Sequence, residues 1–140
     1  MSAVIITGDV KFGPWVIPYR AQNAVSNAYA TTNGIIVDTF IPEPIFSNLF
    51  DTTLWLRRNW DFKAVIICSI LQLPNRDKDI AKFVDQMADI EIHFAMEGLS
   101  GKGKTFLESI FKEASLFLSA GSIEASSVES YGDLHKQLLP

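Results

Sequence analysis

Runs of adjacent β-branched residues limit this chain more than any other feature. Val4-Ile5-Ile6 and Val65-Ile66-Ile67 lack the polar alternation of a strand with one wet face. Such runs belong to strands covered on both sides, the situation of a parallel sheet. The sequence predicts strands at 3–7, 35–39, 64–70 and 90–96, separated by segments of helical period. Ala21, Val25, Ala28 and Tyr29 form one stripe, and Asn33-Gly34 ends it. Phe46, Leu49, Phe50, Thr53 and Leu54 form a second, with Ser47 as N-cap. Ile80, Phe83, Val84 and Met87 form a third, preceded by Asp77 and Asp79, which suit a helix N-terminus. Leu107, Ile110, Phe111, Ala114, Phe117 and Leu118 form the fourth. Ser130-Tyr131-Gly132-Asp133 resembles a capping box and predicts a short terminal helix that includes His135.

Strand–helix alternation of this kind gives a three-layer α/β/α fold. Its central sheet is mostly parallel and has four or five strands, as in flavodoxin-like proteins. The 140 residues suffice for one domain, 1–140. A hydrophobic fraction of 48% excludes disorder. The single cysteine, Cys68, excludes an internal disulfide and any multi-cysteine metal site. Read as a lone thiol in an apolar run, it is plain core. A formal net charge of -4 argues against nucleic acid as a partner. The first residues lack the charged region of a signal peptide, and no apolar run is long enough to span a bilayer. A cytoplasmic protein without membrane insertion is expected.

Ligands of such sheets bind beyond the carboxyl ends of the strands. That rule selects the loops at 8–20, 40–44, 71–75 and 97–104. In the first, Asp9, Lys11, Phe12 and Arg20 lead into Gln22 and Asn23 at a helix start. A helix N-terminus beside an arginine is suited to an anion. In the third region, Ser69 and Gln72 are placed to hydrogen-bond a ligand. On the fourth strand, alternation puts Glu91, His93, Ala95 and Glu97 on one face. His93 with Glu97 or Asp9 would then move protons near neutral pH. No third residue stands at a spacing diagnostic of a metal site, and no cofactor is implied.

Gly98-Leu99-Ser100-Gly101-Lys102-Gly103-Lys104-Thr105 matches the phosphate-loop pattern letter for letter, between a strand and a helix. Lys102, Lys104 and Thr105 would contact phosphate. The acid-ended strand that a nucleotide hydrolase needs downstream is missing.

Phe12-Gly13, Ile17-Pro18, Gln22-Asn23, Asn33-Gly34, Ser69 through Leu73-Pro74, His93-Phe94-Ala95 and Glu97 resemble the small sporadic carbohydrate cluster proteins. That family is encoded among bacterial surface-polysaccharide genes, and the resemblance covers roughly residues 3 to 100. It implies a role in O-antigen or capsule synthesis and a sugar phosphate or nucleotide sugar as ligand. The order of elements is also similar to the catalytic domain of serine recombinases, which implies a resolvase-like fold. A recombinase needs a nucleophilic serine just after its first strand, where this chain has Gly8-Asp9.

Three functional readings follow. The first is a small enzyme or binding protein for an anionic sugar, with Arg20, Ser69 and His93 meeting in one cleft. The second is a non-catalytic subunit of a glycan pathway, a homo-oligomer included, docking through Trp15, Trp55 or Trp60. The third is a phosphate-loop nucleotide binder using residues 98–105.

Overall fold

The computed structural model describes residues 2–8, 11–12, 15–43 and 49–117, and it has the expected architecture. The elements run β1 (Ser2–Gly8), β2 (Lys11–Phe12), β3 (Trp15–Val16), α1 (Tyr19–Thr32), β4 (Ile36–Glu43), α2 (Asp51–Asn59), β5 (Ala64–Ile67), α3 (Asp77–Met87), β6 (Glu91–Phe94) and β7 (Leu99–Gly101). A 3-10 turn at Ile70–Gln72 follows β5. A fourth helix, α4, occupies 104–117. The terminal helix expected near 130 lies outside the described residues.

The main sheet has the order β4-β1-β5-β6-β7. Its first four strands are parallel, and β7 returns antiparallel to β6. The order reverses between β1 and β5, which neighbour each other although β4 lies between them in sequence. Val4, Ile6, Val65, Ile67, Ile92 and Phe94 face α2, α3 and α4 in one apolar cluster. Ala3, Ile5, Ala64 and Ile66 face α1 in a smaller one. The unbroken Val/Ile runs of β1 and β5 are therefore buried on both faces, as the absence of alternation requires.

Several elements depart from expectation. Helix α1 buries Gln22, Ser26 and Ala30, while Ala21, Val25 and Ala28 of the expected stripe are exposed. β4 runs on to Glu43, β5 and β6 stop at Ile67 and Phe94, and Leu99–Gly101 is a strand where the sequence predicts a loop. The loop at 8–20 carries a short antiparallel ribbon, β2–β3. The second helix begins at Asp51, later than the apolar stripe from Phe46 suggests, and Ser47 lies outside the described residues. Phe50 precedes the helix in the left-handed region, with φ 59°. Burial of its ring against Phe83, at a centroid separation of 5.2 Å, offsets that strain.

The cap of α2 comes from another element. Glu43, the last residue of β4, is only 3% exposed. Its Oε1 accepts from the Thr53 N–H at 2.7 Å and from the Thr53 hydroxyl, and its Oε2 accepts from the Thr52 N–H at 3.2 Å. A carboxylate at a helix N-terminus satisfies free donors and opposes the positive end of the dipole. Arg57 extends from the last turn of α2 to Asp89 beyond α3, at 2.5 Å. That bond holds the Asp89 carboxyl below its ordinary range.

Glu43→Ala would strand the donors of Thr52 and Thr53 in a buried place. The expected loss is about 3 kcal/mol. Urea denaturation should show a lower midpoint with an unchanged slope, and Glu43→Gln should lose roughly half as much. A loss below about 0.5 kcal/mol for Glu43→Ala would show that the cap is dispensable.

Candidate functional site at the carboxyl rim

At the switch point, β5 stops at Ile67, which pairs with Ile6. The end of β1 runs on past it and loses its neighbour on that side. The freed backbone groups of Gly8 are taken up by a side chain. Gln22, one turn into α1 and fully buried, donates from Nε2 to the Gly8 carbonyl at 2.6 Å and to the Ile17 carbonyl at 2.7 Å. Its Oε1 accepts from the Gly8 N–H at 3.0 Å and from Gln72 Nε2 at 2.9 Å. Both amide protons and both lone pairs are used. Gln22 thus replaces the missing ladder partner and ties α1 and the ribbon segment to the 3-10 turn.

Gln72 continues the chain of bonds, its Oε1 accepting from the Ser69 N–H at 3.2 Å. Ser69 caps the 3-10 turn and accepts from the Leu71 N–H at 3.1 Å. Its hydroxyl donates to Glu97 Oε2 at 2.8 Å, and the Ile70 N–H donates to Glu97 Oε1 at 2.9 Å. Glu97 therefore joins the end of β6 to the end of β5. Beside it, burial first and the Glu97 charge second push the Cys68 thiol up to about 11. A thiol held neutral in this way is a poor nucleophile.

The rim gathers Gly8, Gln22, Ser69, Gln72 and Glu97. It leaves out His93. The chain turns over Ala95, Met96, Glu97 and Gly98, with Gly98 at φ 66°, so the strand alternation ends at Phe94. Glu97 swings to Ser69 and does not share a ligand position with His93. His93 pairs in register with Ile66, three residues before Ser69. That spacing is about 10 Å along the strand. Its ring contacts Tyr29 and Glu91. Arg20 in the first turn of α1, Ser69 after β5 and His93 within β6 thus stand on three separate elements, and Glu97 bonds only to the second.

The other expected residues divide as follows. Gln22, Ser69 and Gln72 are buried and spent on internal bonds, so none presents a free group to a ligand. Arg20 is exposed in the first turn of α1. Asn23 is half-buried, with an Oδ1 that has no partner. Lys11 and Phe12 form β2. Asp9 lies outside the described residues.

The phosphate-loop reading is also corrected. Leu99, Ser100 and Gly101 pair with Phe94, His93 and Ile92 as an antiparallel strand. A phosphate loop needs its helix to start at the carboxyl end of a parallel strand. Here β7 carries the chain back first, so α4 starts at the opposite end of the sheet. Lys102, Lys104 and Thr105 are exposed there, and Lys104 faces Glu108 at 4.0 Å.

Sequence reasoning missed the partnership of Gln22 with Gly8, and that of His93 with Tyr29 and Glu91. No local signal marked the first, because the burial of Gln22, Ser26 and Ala30 shows only in the fold. The Glu91-x-His93 spacing on one strand face was the signal for part of the second.

Two outcomes follow. Gln22→Ala leaves up to four polar groups without partners and should cost about 3 kcal/mol or more, measured by chemical denaturation. A neutral result would mean that water replaces the amide. Cys68 should resist alkylation in the native protein at pH 8, with about a hundredfold less thiolate than a free thiol. The raised value stabilises the fold below pH about 9 and loses that contribution as pH climbs through about 11.

No family model matches the chain, and no curated protein matches it. Solved structures do. A resolvase family site-specific recombinase from Streptococcus pneumoniae aligns over 97% of this chain and 99% of its own, with a TM-score of 0.59 and 12% identity. The N-terminal catalytic domain of TP901-1 integrase aligns over 94% and 98%, with a TM-score of 0.57 and 18% identity. The resemblance to serine recombinases at the level of fold therefore holds, while kinship with the sporadic carbohydrate cluster proteins finds no match. The same findings overturn the reading of a role in polysaccharide synthesis, the sugar phosphate or nucleotide sugar as ligand, and the exclusion of nucleic acid. A negative total charge does not by itself forbid a local phosphate contact. Among the described residues no helix is long and apolar enough to cross a membrane.

Proposed function

We propose that this chain is a resolvase-fold module that grips the phosphate backbone of DNA at its carboxyl rim and does not break it. The observation that carries the proposal is the first turn of α1. This 14-residue helix starts after Pro18 with no side-chain cap and no acidic residue in its first turn. Arg20 stands exposed in that turn, beside the switch point where this class of sheet receives ligands. The positive end of the helix dipole and a guanidinium together suit a phosphate oxygen. The similar structures are a resolvase family site-specific recombinase and the N-terminal catalytic domain of an integrase, and the likeness spans nearly the whole of both chains.

Strand breakage is left out for a chemical reason. Transesterification of DNA by a protein needs a free hydroxyl at the phosphate. Among the described residues at the rim, β1 ends in Gly8, Thr7 before it is 3% exposed, and the Tyr19 hydroxyl donates to the Glu43 carbonyl at 2.9 Å. Ser69 is fully buried and held by Glu97. Backbone contact without cleavage fits a partner or regulatory module.

Fluorescence anisotropy with a labelled duplex tests this reading. Binding should appear in the range of about 1–100 µM near physiological salt and should weaken as salt rises. Arg20→Ala should lower the salt slope by about one and weaken binding several-fold across sequences. Denaturing gels should show no protein–DNA adduct. Absence of binding at low salt, indifference to Arg20→Ala, or a covalent adduct would each overturn the proposal.

A further inference from the structure

About one layer below the rim, α1 and β6 enclose a second group of polar side chains that the rim does not use. The Tyr29 hydroxyl lies 2.8 Å from His93 Nδ1. The rings meet edge to face, with centroids 5.5 Å apart. On the far side of the imidazole, Nε2 stands 2.9 Å from Glu91 Oε1. The carboxylate approaches off the N–H axis, so the two groups are in close contact without an aligned hydrogen bond. His93 is 5% exposed, while Tyr29 and Glu91 are half-buried.

One tautomer suits both neighbours. With the phenol donating, Nδ1 accepts, and Nε2 carries its proton on the side of the carboxylate. The order is hydroxyl, imidazole, carboxylate: a nucleophile within reach of a base that a third group orients. Packing alone would not ask for this. An aliphatic residue at 93 would fill the space between α1 and β6 without burying an imidazole.

We propose that Tyr29 is a nucleophile activated by His93 and oriented through Glu91, and that it takes an acyl group from an uncharged activated ester. The Tyr29 oxygen attacks the ester carbonyl carbon, and an O–C bond forms. The phenol proton passes to His93 Nδ1. The acyl C–O bond to the leaving group breaks, and its electron pair departs with the leaving oxygen. The imidazolium that results faces Glu91, then loses the proton to water. The negative Glu91 disfavours a phosphorylated electrophile at this place. Val25, one turn before Tyr29 and 37% exposed, offers an apolar surface to the acyl chain.

The probe is p-nitrophenyl acetate, with acetylation mapped by peptide mass spectrometry. Tyr29 should acquire acetyl at least about a hundredfold faster than N-acetyltyrosinamide in the same buffer, the low end of what a positioned base supplies. Tyr29→Phe should remove that adduct, and His93→Gln should return Tyr29 to the rate of the free phenol. Glu91→Gln, at a half-exposed position that leaves the core intact, should slow labelling several-fold while the thermal melt stays cooperative. Labelling of Tyr29 no faster than the free phenol overturns the proposal. So does labelling that is unchanged in both folded His93→Gln and folded Glu91→Gln.

Discussion

A single amide holds the working end of this fold together. Where a parallel sheet reverses its order, two adjacent strands end with no crossover between them, and their last backbone groups face a crevice. Water or a ligand commonly fills that place. In this chain Gln22 fills it, donating twice and accepting twice. Each bond by itself is worth about 1 kcal/mol, but the penalty for leaving buried partners unmade is larger. The ends of β1 and β5, the start of α1 and the 3-10 turn consequently stand or fall as a unit.

Closure of the crevice decides where function can sit. Ser69, Gln72 and Gln22 are the polar residues that a reading of loops selects as ligand contacts, and all three are consumed inside. A guest at the rim must rest on the layer outside them, which is where the first turn of α1 and Arg20 lie. Glu97 has a similar double effect. Bonded to Ser69 and Ile70, it locks the turn after β5. Its charge also helps keep the Cys68 thiol neutral, so neither the hydroxyl nor the thiol at the strand end is available as a nucleophile.

What the sequence made legible was local and periodic. The doubly buried runs of β1 and β5, the stripe of α3 and the stop at Asn33-Gly34 all express a repeat within a few residues, and they fall where expected. What it hid depends on partners far apart in the chain. Glu43 caps α2 across an intervening segment, so no signal near residue 50 betrays it. Leu99-Ser100-Gly101 became a strand because Gly98 accepts a positive φ and turns the chain back on β6; read in isolation, the same letters spell a phosphate loop. That turn also carried Glu97 away from His93, which extrapolated alternation had placed on one face with it. Gln22 looked like a ligand contact because a buried glutamine and an exposed one are identical in sequence. Only the end of β5 at Ile67 shows why one is needed at that position.

The two faces of the sheet explain why the polar chemistry lies along α1. On one face three helices enclose a cluster of twenty buried apolar residues, beside which the buried pair Glu43 and Thr53 caps α2. On the other face, among the described residues, α1 covers five buried residues, three of them alanine. Small side chains let α1 approach closely, but one helix cannot shield β6 as it shields β1. A buried polar group costs less where solvent and a partner are both near than in the centre of a dry core. Gln22, Ser26, Tyr29 and His93 all lie on that thinner side. The same helix therefore offers a phosphate its uncapped first turn and places a phenol on an imidazole two turns later. Seven residues separate Gln22 from Tyr29, about 10 Å along the axis, which matches the interval from Ser69 back to Ile66 beside His93. The two sites are held by one rigid element at a fixed distance. A change that tilts α1 must disturb both, whereas a change confined to either side chain leaves the other in place.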